Sequence, residues 1–210
     1  LTTGSLAKHF MRLAVPAAVG MVFSTLYNVV DVFFAGMIGT DAQAGLAISF
    51  QAFFIFVTIG FGLSAAMTAL VGNAIGAKKK TDAIIIAAQG IGFAIVTSVF
   101  LLVAARFIGP HLLAIISTEG AYRAAGEAYF MILILSLPGF IMGYGLNGIL
   151  QAQGDTVSMQ YALIGAFFAN IGLNPLMIFG IPGIWGGLGF DGIAAATVIS
   201  QTGVVLYIGV

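Results

Sequence analysis

Cysteine does not occur in this sequence, which excludes disulfides and thiolate metal or redox sites. Charge is nearly as scarce: seven basic and seven acidic residues are spread over 210 positions, 7% of the chain, and they cancel. A basic face for nucleic acid is therefore excluded as a partner surface. So little charge also excludes a soluble domain of this size, whose surface would need several times more. No Ser/His/Asp set, phosphate loop or metal-ligand cluster is present, so nothing predicts an enzyme or a cofactor; His9 and His111 have no partner at a metal-ligand spacing.

What the sequence does have is apolar length. It is 60% hydrophobic with a mean hydropathy of +1.13. Crossing the hydrocarbon core takes roughly 20 apolar residues. Breaks containing Gly, Lys and Asp divide the chain into six such helices, near residues 11–36, 45–75, 83–116, 124–151, 157–180 and 189–210. The fold class expected is an all-α, multi-pass membrane bundle. The third segment is long enough to hold an internal break around Gly109 and Pro110. No cleavable signal precedes the first helix, and the chain starts at Leu1 and stops at Val210 inside an apolar run, which reads as a fragment.

Basic residues set the orientation. Lys8 and Arg12 precede the first helix and Lys78, Lys79 and Lys80 follow the second, whereas only Arg106 and Arg123 fall toward the other side, with Asp41, Glu119, Glu127 and Asp191. This bias predicts a cytoplasmic N terminus.

Asp31 is the residue around which the sequence is read. A carboxylate inside a spanning helix costs roughly 2.5–3.5 kcal/mol on insertion scales, so it faces protein or water and marks an ion or proton pathway. Gly20, Ser24, Tyr27 and Asn28 share its helical face. In the second helix Gly60, Ser64, Thr68, Gly72 and Gly76 form a stripe of small residues, read either as a wall of a substrate cavity or as a close helix contact. The fourth helix places Asn147 and Gln151 one turn apart. In the fifth, Asn170 and Asn174 are one turn apart and Pro175 follows, depriving the Ile171 carbonyl of its donor. These amides serve either as interhelical hydrogen-bonding groups or as parts of a polar site.

Pro16, LYNVVDVFFAGMIG at 26–39, GFGLSAAMTALVGNAIGA at 60–77, QGDT at 153–156, NIGLNPLMIFG at 170–180 and GIAAATVISQ at 192–201 together resemble the amino-terminal half of the multidrug and toxic compound extrusion (MATE) transporters. The resemblance spans nearly the whole chain. It implies one six-helix lobe of a twelve-helix, two-lobe transporter in a bacterial or archaeal inner membrane, exporting organic cations and other amphiphiles in exchange for protons or sodium ions. The carboxyl-terminal lobe is then the missing partner.

Carried over by the resemblance, Asp31 is the coupling-ion site, the only place a metal ion, sodium, is expected. Asn147 and Asn170 neighbour it, Thr197 contributes a hydroxyl, and Pro16 and Gly20 are bending points of the first helix. Asn174 stands where proton-linked relatives keep an acid, and Ser158 where a proline often follows the GDT turn. A sodium ion among one carboxylate, amide oxygens and a hydroxyl is as sensible as a proton, since hard cations take oxygen ligands. Tyr27, Asn28, Ser64, Thr68 and Gln151 are the candidate cavity residues. A lipid-linked oligosaccharide flippase of the same superfamily is the alternative within transport, although it would need cationic residues for a pyrophosphate; a non-transporting scaffold or truncated product is the alternative outside it.

Overall fold

A computed structural model describes residues 6–209 and, within the first helix, the side chains of Met11, 14–16 and all from Ala18 onward. The sequence assignments at Lys8, His9 and Arg12 lie outside the described side chains. Among the described residues seven α-helices follow one another: α1 Leu6–Ile38, α2 Thr40–Gly76, α3 Lys80–Ile116, α4 Ala121–Leu133, α5 Leu137–Ala152, α6 Ser158–Phe179 and α7 Asp191–Ile208. A single 3-10 turn, Ile134–Ser136, joins α4 to α5, so the two form one stretch, Ala121–Ala152, and six stretches are long and apolar enough to cross a membrane. The protein is an all-α multi-pass membrane protein.

The interruption falls where sequence analysis did not place it. The third helix runs unbroken through Gly109 and Pro110 to Ile116. Gly109 is needed there for space, because a Cβ would enter the Phe130 ring. The change of winding instead precedes Pro138, which sits in the first turn of α5 where a missing N–H costs nothing.

Two groups of helices meet in the bundle. The larger core joins α2, α3, α4 and α5 through Phe53, Phe56, Leu101, Phe130 and Ile141; α1, α6 and α7 share a smaller cluster of Tyr27, Ala162, Ala166 and Val204. The α2–α4 contact is a backbone contact. A Cβ on Gly45 would lie 2.8 Å from the Tyr122 carbonyl oxygen, and the Ser49 hydroxyl bonds the carbonyls of Gly45 at 2.7 Å and Gly126 at 2.8 Å. The small-residue stripe of α2 also turns toward a helix, α5: Thr68 donates to the Gly148 carbonyl at 3.2 Å, and a Cβ on Gly60 would meet Tyr144. Close packing of backbones is thus what the stripe provides.

Between α6 and α7 the chain closes tightly on itself. Ile181 and Trp185 exchange two backbone hydrogen bonds, and Leu188 and Gly189 donate to Met177 and Ile178 at 2.8 and 3.0 Å. Gly180 and Gly187 both have φ of 74°, and each faces the other's backbone so closely that a side chain would not fit. The carboxyl-terminal end of α6 is thereby tied to the segment that leads into α7.

Candidate functional site

Asp31 lies on the face of α1 that meets α6 and α7, and it is fully buried. Its Oδ1 accepts from Asn174 Nδ2 at 2.9 Å and from Asn170 Nδ2 at 3.1 Å. Asn174 Nδ2 also donates to Asn170 Oδ1 at 3.0 Å, as the one-turn spacing on α6 permits. The second carboxylate oxygen, Oδ2, has one donor: the Thr197 hydroxyl of α7, at 3.4 Å. Tyr27, one turn before Asp31, donates to Thr197 Oγ1 at 3.2 Å. Three donors offset part of the cost of burying the acid.

The cluster has spare oxygens. Asn174 Oδ1, the Tyr129 hydroxyl and the Ser200 hydroxyl are buried without a hydrogen-bond partner among the described residues. Tyr129 is held from α4 by stacking on Phe190, with ring centroids 4.8 Å apart. With Asp31 and Thr197, Asn174 Oδ1 makes a donor set of a carboxylate, an amide and a hydroxyl oxygen, chemically suited to a hard monovalent cation or to a proton with water.

Against this cluster lies a cavity of about 400 Å³. Its walls are aromatic, with Phe50, Phe53, Phe54, Phe61, Phe140 and Tyr144, and its polar groups are uncharged: Tyr27, Asn28, Asn147, Gln160, Thr197 and Gln201. Among the described residues, no lysine, arginine, aspartate or glutamate lines it. Tyr27 and Thr197 belong to both places, forming the partition between Asp31 and the cavity.

The structure brings Asp31, Asn170, Asn174 and Thr197 together. Asn147 is not among them: it lines the cavity and makes no hydrogen bond to Asp31, because α5 packs on α2 rather than on α1. The second amide donor is Asn174. Tyr27 and Asn28 line the cavity, whereas Ser64, Thr68 and Gln151 do not; Ser64 and Thr68 are taken up in the α2–α5 contact, and Gln151 is exposed near the end of α5. Pro16 lies within the continuous α1 and Pro175 within α6. Gly20 lines the cavity too, and a Cβ there would overlap the side-chain amide of Gln160. Sequence reasoning missed Tyr129, Gln160 and Gln201. Only Gln201 carried a signal, standing one turn beyond Thr197 on α7.

A multi-pass bundle with a buried, oxygen-rich polar cluster beside an aromatic cavity has the parts expected of a membrane transporter. The MatE family profile matches residues 16–176, and the chain belongs to that family of multidrug transporters. It is 26% identical over 204 residues to a probable multidrug resistance protein, NorM, of Thermotoga maritima, covering 96% of this chain and 44% of that protein. To a probable multidrug resistance protein, YoeA, of Bacillus subtilis it is 27% identical, covering 89% of this chain and 40% of the relative. A solved transporter of the MOP superfamily from Pyrococcus furiosus shares the fold at a TM-score of 0.87 and 24% identity, over 98% of this chain and 44% of the other. The chain thus spans less than half the length of these relatives.

Proposed function

We propose that this chain is the amino-terminal lobe of a secondary antiporter that exports organic cations and other amphiphiles in exchange for protons or sodium ions. Supporting this is the adjacency of a buried carboxylate and an uncharged aromatic cavity, with Tyr27 and Thr197 common to both. A cation at Asp31, held with Asn170, Asn174 and Thr197, neutralises the acid; α1 then rearranges at Pro16 and Gly20, and the cavity loses its substrate. Asn147 acts from the cavity wall. The carboxyl-terminal lobe supplies the opposite wall, in a bacterial or archaeal inner membrane with the N terminus cytoplasmic, as the basic loop Lys78 to Lys80 favours.

The driving force is adequate: one charge crossing 100 mV is worth about 2.3 kcal/mol, roughly fiftyfold in accumulation. A cavity without lysine or arginine among its described residues disfavours a lipid-linked pyrophosphate as substrate. The test is efflux from liposomes by the full-length protein under an imposed pH gradient and then a sodium gradient. Asp31→Asn is expected to insert normally and to lose gradient-driven efflux; undiminished efflux by that variant would overturn the proposal.

A further inference from the structure

The two oxygens of Asp31 are unequal. Oδ1 takes both amide donors, at 2.9 and 3.1 Å, while among the described residues Oδ2 meets only the Thr197 hydroxyl, at 3.4 Å. A hydroxyl–carboxylate pair ordinarily closes to about 2.5–2.7 Å, so Oδ2 is the loosely held oxygen and the one open to an incoming cation. Thr197 has one hydrogen and two lone pairs. While Asp31 is charged it takes that hydrogen, and Tyr27 must donate to Thr197 Oγ1, which their 3.2 Å separation allows.

We infer that Tyr27 and Thr197 form a two-hydroxyl relay whose direction reverses when Asp31 is neutralised, turning the Tyr27 hydroxyl from a hydrogen-bond acceptor toward the cavity into a donor. The inference rests on the reading of Asp31 as the coupling-ion site. A proton on Oδ2 donates to Thr197 Oγ1, whose own hydrogen then swings to the Tyr27 oxygen and frees the Tyr27 O–H. A sodium ion has the same effect, since it takes a Thr197 lone pair and turns the Thr197 hydrogen away from itself.

Tyr27 and Thr197 are part of the cavity wall and Asp31 is not, so the charge state of the acid can reach the substrate through them as hydrogen-bond polarity. The ligand class it sorts is an aromatic ammonium ion with N–H donors, bound while Tyr27 accepts and released when Tyr27 donates. Tyr27 is a specificity-determining residue in this scheme and Thr197 a positioning residue.

Few other groups are placed to produce the effect. Among the described residues, the titratable groups facing Asp31 are Tyr27 on its own helix and Tyr129 from α4; α6 and α7 present Asn170, Asn174, Thr197 and Ser200. The ion pairs among the described residues, Lys79–Asp82 and Arg123–Glu127, involve neither Asp31 nor a cavity residue. Ser200, beside Tyr27, has an unpartnered hydroxyl that competes for the freed hydrogen.

The experiment compares two probes on the full-length protein in detergent: naphthylmethylammonium and its quaternary trimethyl analogue, which share ring and charge and differ in N–H donors. Lowering pH in sodium-free buffer, or adding sodium at high pH, is expected to weaken both probes, the N–H probe by roughly tenfold more than the quaternary one. Tyr27→Phe and Thr197→Val abolish the difference between probes, and Thr197→Ser retains it. Parallel shifts of both probes in the wild type, no shift of either, or a difference that survives Tyr27→Phe overturns the relay. If the relay fails while a gradient still drives efflux of the quaternary probe, the antiport reading stands without it; if no gradient drives efflux of either probe, that reading fails independently of the binding result.

Discussion

Ser158, two residues after the GDT turn, has a local purpose. Asp155 Oδ1 accepts from the backbone N–H groups of Val157 and Ser158 at 2.9 and 3.0 Å, and Oδ2 accepts from the Ser158 hydroxyl. A proline at 158 would remove two of these three donors. Together they cap the start of α6, and the Ser158 hydroxyl, then the Ser158 and Val157 N–H groups, hold the Asp155 carboxyl below the usual carboxylate range. A depressed folded-state value means that the stabilisation is complete above the unfolded value of about 3.9 and is lost as pH falls through the folded one. Asp155→Ala is expected to cost about 1 kcal/mol at neutral pH, read as a lowered melting temperature. The gap to wild type should stay constant down to about pH 5 and shrink below about pH 4.

At this same scale the site was partly legible. Asp31 stood out because an ionisable group in an apolar run has few benign explanations, and Asn170 and Asn174 because a four-residue spacing fixes a shared face whatever the tertiary fold. Asn147 has an equally conspicuous side chain, but its partner depends on which helix α5 packs against, and no local pattern encodes that. Tyr129 was invisible for the same reason: stacking on Phe190 joins two distant parts of the chain.

Among the elements, the number and length of the spans follow from apolar run length, whereas their ends follow from turn geometry. The end of α2 shows this. Lys79 N–H bonds the Ala74 carbonyl and Lys78 N–H the Ile75 carbonyl, both at 2.9 Å, a Schellman closure with Lys78 at its left-handed position, φ 59°. Glycine usually occupies that place, yet the nearby Gly76 is still inside the helix. A side chain in this conformation costs about 1–2 kcal/mol. Lys78→Gly is expected to recover about 1 kcal/mol, raising the melting temperature by roughly 2–4 °C in a thermal denaturation series, with Lys79 and Lys80 left to carry the loop's positive charge. No change, or a lower melting temperature, would show that Lys78 makes a compensating contact.

At the scale of the whole chain, the lack of cysteine in these 210 residues lets orientation be measured by single introduced cysteines, with any cysteine elsewhere in the full-length protein replaced. Lys79→Cys, between α2 and α3, and Glu119→Cys, between α3 and α4, lie at opposite ends of the same long helix, and both positions are exposed. In intact cells a membrane-impermeant maleimide is expected to label the Glu119→Cys variant and to reach the Lys79→Cys variant only after permeabilisation; the reverse pattern would invert the orientation.

The glycine-closed link between α6 and α7 also limits how the polar cluster can change shape. Asn170 and Asn174 come from one of these helices and Thr197 from the other, so three of the four groups belong to a frame with little freedom at its linked end. Asp31 alone arrives from a different helix, one that packs chiefly on α6 and has little contact with α7. In kinematic terms the cluster is a socket with one part mounted separately, and withdrawing α1 is expected to take it apart while Asn170, Asn174 and Thr197 keep their places.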